Sequence, residues 1–220
     1  MQDIEKFVRG FCRFQEQYLS EQGIFDSLRE GQRPGTLVIG CCDSRVDPAL
    51  LTGSDPGELF VVRNIANLVP PCRADAPPGV SSAIEFAVCG LEVARVIVLG
   101  HAHCGGIRAL MAPRRLAPET NFVERWMRIA EPVRQRVMRE LEHKSSNERH
   151  KACELASILH SLDNLMTYPW LKRRVEEGKL MLHGWYFDIE TGALLAYSPR
   201  KQEFLPLVCP LEKRVLVEAA

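Results

Sequence analysis

"ARVIVLG", residues 94–100, is the most apolar strand-length run in the chain and constrains its fold more than any other stretch. Aliphatic residues follow one another there without alternating polar partners, the pattern of a strand buried on both faces in a parallel sheet. "TLVIG" (36–40) and "LFVVR" (59–63) repeat the pattern upstream. Between those two, "DPALLTGSDPGE" opens with the helix-start pair Asp-Pro and closes in turn chemistry. The proline-rich "VPPCRADAPPGV" (69–80) reads as a loop, and "VSSAIEFAVCGLEV" after it as a helix. Strands alternating with helices imply an α/β fold with a mostly parallel central sheet and helices on its faces. In such sheets, ligand-handling residues gather past the carboxyl ends of the strands.

The remaining patterns fit that frame. Ile4, Phe7, Val8 and Phe11 recur at the spacing of an amphipathic N-terminal helix. "NFVERWMRIAEPVRQRVMRELEH" is helical, broken or restarted at Pro132, and "SSNERHKACELASILHSLDNLMTY" is a helix capped at Ser145 or Ser146. "KLMLHGWYFDIETGALLAYS" (179–198) alternates as two strands turning at Thr191 and Gly192. No repeat or internal boundary interrupts the 220 residues, so a single domain over 1–220 is expected. Lys plus Arg equal Asp plus Glu at 28 each, which removes the global electrostatic case for nucleic acid or an anionic membrane as partner. No apolar run approaches the roughly 20 residues that span a bilayer. "MQDIEKFVRGFCRF" carries acids early and has no apolar signal core, so a cytoplasmic protein is expected.

Two strand ends carry chemistry. "GCCDSRVDP" (40–48) follows the first strand, and "GHAHCGG" (100–106) the strongest one. His101 and Cys104 are spaced H-x-x-C, so one tight turn aims both at a point, and Cys41 would join them from the neighbouring strand end. Two thiolates and an imidazole suit tetrahedral Zn²⁺, and three protein ligands with an open fourth position is the arrangement of catalytic zinc. Alone, H-x-x-C is a weak signal and Cys41 could be a buried strand-end cysteine. Both motifs at strand ends make that reading less economical. Cys12 and Cys89 lie in apolar helical patterns as small hydrophobes.

"CCDSRV" and "GHAHCGG" resemble the C-x-D-S-R and G-H-x-x-C-G motifs of the β-class carbonic anhydrases, and the resemblance continues through "PGELFVVRNIANLVPP", "SSAIEFAV", "SLDNLMTYPWL" and "LHGWYFDIETGAL". In length and ending the chain looks most like bacterial members associated with cyanate metabolism. The resemblance implies zinc held by Cys41, His101 and Cys104, with Cys42 in the variable position. It also implies hydration of CO₂ to bicarbonate and a proton by zinc-bound hydroxide. Asp43 would orient the nucleophile while Arg45 holds it off the metal; in some members the Asp itself becomes a zinc ligand and closes the site. Gln32, nine positions before Cys41, and Val38, three before it, match the open, plant-like branch. Phe60 and Ile65 correspond to its apolar CO₂ pocket, Gly105 offers a backbone N–H, and Phe86 stands where that branch often has Tyr. The family builds its site across a homodimer or higher even oligomer, placing Gln32 and Phe60 opposite a neighbour's zinc and the N-terminal helix, with Phe7, Phe11 and Phe14, over the neighbour.

Two rivals stay open at this level: a CS₂ or COS hydrolase on the same fold, and a non-catalytic zinc or thiol redox module suggested by the adjacent Cys41 and Cys42. His183 reads as a core-facing strand residue, and His143, His150 and His160 as exposed or capping residues. His103, between two ligands, reads as a turn residue facing away, or else as a proton relay.

Overall fold

A computed structural model describes residues 2–19, 25–75, 78–112 and 119–210. Its centre is a six-stranded sheet in the order β2-β1-β3-β4-β5-β6. The strands are β1 (Thr36–Cys41), β2 (Leu59–Asn64), β3 (Arg95–His101), β4 (Met181–Asp188), β5 (Ala193–Ser198) and β6 (Glu203–Val208). The pairs through β4 are parallel, while β4–β5 and β5–β6 are antiparallel. In β1 and β3 every residue after the first is buried, which is why both read as unbroken apolar runs. β6 escapes the sequence pattern because Pro206 interrupts it. A proline costs a ladder hydrogen bond and is tolerated on an edge strand such as this one.

Nine helices occur among the described residues: α1 (Gln2–Tyr18), α2 (Phe25–Leu28), α3 (Pro48–Thr52), α4 (Pro78–Glu85), α5 (Gly105–Met111), α6 (Phe122–Met127), α7 (Glu131–Glu140), α8 (Ser146–Leu165) and α9 (Pro169–Glu176). Short polar signals start several of them. Asp47 accepts the Leu50 N–H to cap α3, and Gly53 ends it in the left-handed region. Ser145 and Glu148 form a reciprocal capping box at α8. The chain restarts at α7 with Pro132 in its first turn, after a 3₁₀ turn over Arg128–Ala130. The loop expected over 69–80 is shorter than read: Pro78 begins α4, where a missing N–H costs no intrahelical bond. Past Glu85 that helix widens into a π turn, Phe86–Gly90, closed by the Leu91 N–H on the Phe86 carbonyl. Cys12 and Cys89 are both exposed rather than packed.

The largest core cluster joins Leu37, Ile39, Val96 and Val98 of the sheet to Val80 and Ile84 of α4 and Ile158 and Leu165 of α8. A smaller cluster of Val38, Ile97 and Leu99 lies on the other face. A third fills the carboxyl end of the strands, where Cys41, Ala66 and Cys104 pack among Ile107, Leu110, Met127, Val133 and Cys153. The two motif cysteines are therefore embedded in apolar packing.

Candidate metal centre

β1 and β3 are hydrogen-bonded neighbours, with Gly40 opposite Leu99, so their ends deliver Cys41 and His101 side by side. The chain then turns through His103, which holds a left-handed φ of 56°, and sets Cys104 at the head of α5. Cys41, His101 and Cys104 are all buried, and their donor atoms lie within 4.8 Å of one another. Cys42, next along the strand end, is exposed.

The electrostatics of the trio favour a cation. The Cys104 thiol, hydrogen-bonded to Cys41, draws Cys41 down to about 4 against the opposing effect of burial, with His101 and the backbone N–H groups of Asp43 and Ala66 adding to it. The same contact, and burial, push Cys104 up, while the N–H groups of Gly106 and Ile107 face its sulfur and act in the other direction. His101 Nδ1 donates to the Ala102 carbonyl at 2.8 Å, which leaves Nε2 as the lone-pair nitrogen. That Nε2 is buried and has no hydrogen-bond partner. Burial opposes a charge on this ring, but the Cys41 side chain and the Ala102 carbonyl outweigh it and raise its pKa. An orphaned imidazole nitrogen beside two thiol sulfurs is a donor set that fits Zn²⁺.

Asp43 stands outside the trio. Its carboxylate takes the Arg45 backbone N–H at 3.0 Å and Nε at 2.9 Å on Oδ1, and Nη2 at 2.7 Å on Oδ2. This fork holds the Asp43 carboxyl well below the usual carboxylate range. Arg45 Nη2 also donates to the His103 carbonyl at 3.3 Å, tying the two motifs together. Asp43 is thus paired with Arg45 and is not part of the three-donor cluster.

The residues expected to meet substrate are dispersed in the single chain. Ile65 is 38% exposed and lines an apolar groove of about 820 Å³ with Cys42, Arg63, Phe122 and Trp126. Its carbonyl accepts the Trp126 Nε1–H. Gly105 is exposed at the first turn of α5. Phe60 and Phe86 pack ring to ring, centroids 5.9 Å apart, with Phe86 52% exposed. Gln32 is exposed ahead of β1. No described hydrogen bond or ring contact joins Gln32, Phe60 or Phe86 to the thiol–imidazole trio. Ile4, Phe7, Val8 and Phe11 of α1 are exposed, whereas Phe14 packs against Phe11, Tyr18 and Phe25.

His103 turns outward, its Nε2 paired with Glu190 at 2.7 Å. His183 is half-buried, and burial lowers its pKa. His150 and His160 bond to the Ser146 and Ile129 carbonyls, respectively, and His143 is exposed.

Two residues that motif spacing does not reveal complete the surroundings. Arg63, at the end of β2, donates to the carbonyls of Cys41 (2.9 Å) and Asp43 (2.7 Å) and pairs with Asp47 at 3.0 Å, so it braces the whole first motif. Its signal is position, because it lies at a strand's carboxyl end. Glu154 of α8 accepts the Cys104 backbone N–H at 3.0 Å. Its signal is an acid on the helix stripe that also holds Cys153, Ser157, Ile158 and Ser161, all buried.

Comparison with known proteins gives consistent results. A family model described as carbonic anhydrase matches residues 36–194. A carbonic anhydrase of Synechocystis is 37% identical over 92% of this chain and 74% of that protein. Beta carbonic anhydrase 6, mitochondrial, of Arabidopsis thaliana is 41% identical over 87% of this chain; the chain spans only 66% of that protein's length. Among solved structures, the beta-carbonic anhydrase CcaA superposes with a TM-score of 0.87 at 36% identity, covering 97% of this chain and 94% of that one. A tetrameric beta-carbonic anhydrase of Sordaria macrospora gives 0.71 at 27% identity, covering 96% of each chain.

Proposed function

The chain belongs to the β-class carbonic anhydrase family, and on that premise we propose that it catalyses the reversible hydration of carbon dioxide to bicarbonate and a proton, with zinc held by Cys41, His101 and Cys104. The observation that carries the reading is the buried trio of two thiols and one imidazole nitrogen without a hydrogen-bond partner. Zinc there would supply the Lewis acidity that makes water nucleophilic near neutral pH.

The chain's own groups account for the rest. An ionised carboxylate offers about four lone-pair sites, and the Arg45 donors occupy three of those on Asp43. The one left on Oδ2 can accept a hydrogen bond from the attacking water and fix its direction. Arg45 keeps that carboxylate from turning onto the metal trio. Ile65 and the backbone N–H of Gly105 border the place where an apolar substrate and its developing charge would sit. By the family resemblance Gln32 and Phe60 would reach such a site from a partner subunit, which makes the active unit a homodimer or a higher even assembly. The exposed Ile4, Phe7, Val8 and Phe11 of α1 support this, since a stripe of large apolar side chains is stabilised by being covered. We read residues 1–220 as one such domain working in the cytoplasm, where thiol ligands stay reduced; among the described residues no helix is long and apolar enough to cross a membrane.

Stopped-flow CO₂ hydration with zinc analysis of the same sample tests the proposal. Zinc near one per chain with rapid CO₂ turnover, and slower turnover of COS and CS₂, is the expected result. Zinc-loaded protein inert toward CO₂ would overturn it.

A further inference from the structure

Glu154 is a carboxylate only 6% exposed, behind Cys104 on the wall of a cavity of about 500 Å³ that Cys104, Tyr186, Arg108 and Lys151 also line. Burying such a group is costly unless its oxygens are hydrogen-bonded. Both are: Oε1 accepts the Cys104 N–H at 3.0 Å, and Oε2 accepts the Tyr186 hydroxyl at 2.8 Å. Among the described residues it takes part in no ion pair, so its partners are the turn bearing Cys104 and strand β4. One side chain thereby joins α8, the β3–α5 turn and β4.

The joint acts at a sensitive place. Between His101 and Cys104 the chain reverses through His103 at a φ of 56°, a region costly for a side chain other than glycine, and no side chain caps α5 at Cys104. The peptide between residues 103 and 104 is held from one side by Glu154. Cys104 Sγ faces the Gly106 and Ile107 N–H groups on the other. Fixing the residue 104 amide removes the peptide rotation that would swing the sulfur. Tyr186 in turn holds the carboxylate. Burial, with the Glu154 charge next to it, pushes the Tyr186 hydroxyl up, so it remains a donor.

We propose that Glu154, anchored by Tyr186, is a positioning residue that fixes the Cys104 backbone and so sets the direction of its sulfur in the metal trio. The inference rests on the reading of Cys104 as a metal ligand. Hydrogen-bond acceptance is the working property, so Glu154→Gln should preserve it: the amide oxygen accepts from Cys104 and the amide N–H donates to the Tyr186 oxygen. Glu154→Leu keeps most of the volume and leaves the Cys104 N–H buried without an acceptor. Tyr186→Phe leaves Glu154 in place but loosens it.

The test uses full-length protein loaded with Co²⁺, whose thiolate charge-transfer and ligand-field bands report sulfur geometry, beside zinc affinity from chelator competition and thermal unfolding of the metal-free form. Glu154→Leu should weaken zinc binding about 10–100-fold and shift the cobalt bands. Tyr186→Phe should give a smaller change of the same kind, and Glu154→Gln should stay within a few-fold of wild type. A Glu154→Leu protein with wild-type cobalt bands and zinc affinity, whatever its unfolding temperature, overturns the proposal and leaves a purely structural tie. If Glu154→Leu does not fold, unchanged bands in Tyr186→Phe overturn it equally, as does a Glu154→Gln loss as deep as that expected for leucine. Wild-type protein lacking the thiolate band would instead sink the metal reading itself, which separates the two failures.

Discussion

Gly106→Ala places a single methyl where two parts of the site meet. Its Cβ would lie 2.7 Å from Ile65 Cγ2 and 2.9 Å from the Ala66 Cβ, against an ordinary carbon contact of about 3.5–4.0 Å. The start of α5 and the Ile65–Asn67 turn must therefore separate by close to 1 Å. Ala66 has little room to yield: it is 1% exposed and already at a φ of 65°. Overpacking of this kind costs about 1–3 kcal/mol. At about 2–4 °C per kcal/mol for a chain of this size, the unfolding midpoint should fall by roughly 2–12 °C. The displacement also lies between the Ala66 N–H facing Cys41 Sγ and the Gly106 N–H facing Cys104 Sγ, so zinc affinity should fall with stability. Urea unfolding at constant slope, alongside chelator competition, measures both. Adding Ala66→Gly removes the 2.9 Å contact and relaxes the left-handed residue, and should recover part of the loss. Gly105→Ala is the control, because no atom lies within 4 Å of its Cβ, and it should leave stability unchanged or slightly raised. A Gly106→Ala protein as stable as the Gly105→Ala control would refute the reasoning.

Other outcomes follow from the same geometry. Cys41→Ser, His101→Ala and Cys104→Ser should each lose most zinc and nearly all CO₂ hydration, while Cys42→Ser keeps both; zinc loss confined to the Cys42 variant would reverse the assignment. Arg45→Ala should keep zinc but lose activity at neutral pH as Asp43 turns onto the metal, and undiminished turnover would dismiss that gate. The capping box carries a pH signature: Ser145 holds Glu148 at about 2, below its ordinary 4.5, so its contribution is complete above about 4.5 and lost as pH falls toward 2. The stability gap between wild type and Glu148→Ala should close over that window, and a gap constant with pH would contradict the assignment.

Most of the sheet was legible because strands buried on both faces cannot disguise themselves: β1 and β3 are continuous apolar runs ending in Cys41 and His101, and the half-buried edge strand β2 still sets Leu59, Phe60, Val61 and Val62 in a row. The Cys41–His101–Cys104 trio was legible for a related reason, since two thiols and an imidazole at neighbouring strand ends form a recognisable donor set. Contacts that depend on side-chain direction were hidden. Arg63 and Glu154 bond to backbone atoms of Cys41 and Cys104, and a main-chain N–H or C=O leaves no mark in the sequence. The π turn that presents Phe86 was hidden too, because a wide turn has the same apolar spacing as the helix it interrupts. Gln32 and Phe60 illustrate a different case, in which the resemblance assigns them a place that a single chain does not assemble.

The strand order has a consequence for the chain as it is made. β1 is covered on one edge by β2, which follows it closely, but its other edge waits for β3, and sixty residues separate Cys41 from His101. At ribosomal rates of about 5–20 residues per second, that interval lasts roughly 3–12 s. Throughout it, "TLVIG" presents an uncharged, aliphatic row of unpaired amides, the kind of segment that nucleates association between nascent chains. The strand that gives the site its first thiol is therefore the one most in need of shelter during synthesis, and weaker expression, which keeps the exposed nascent chains dilute, should raise the yield of folded enzyme.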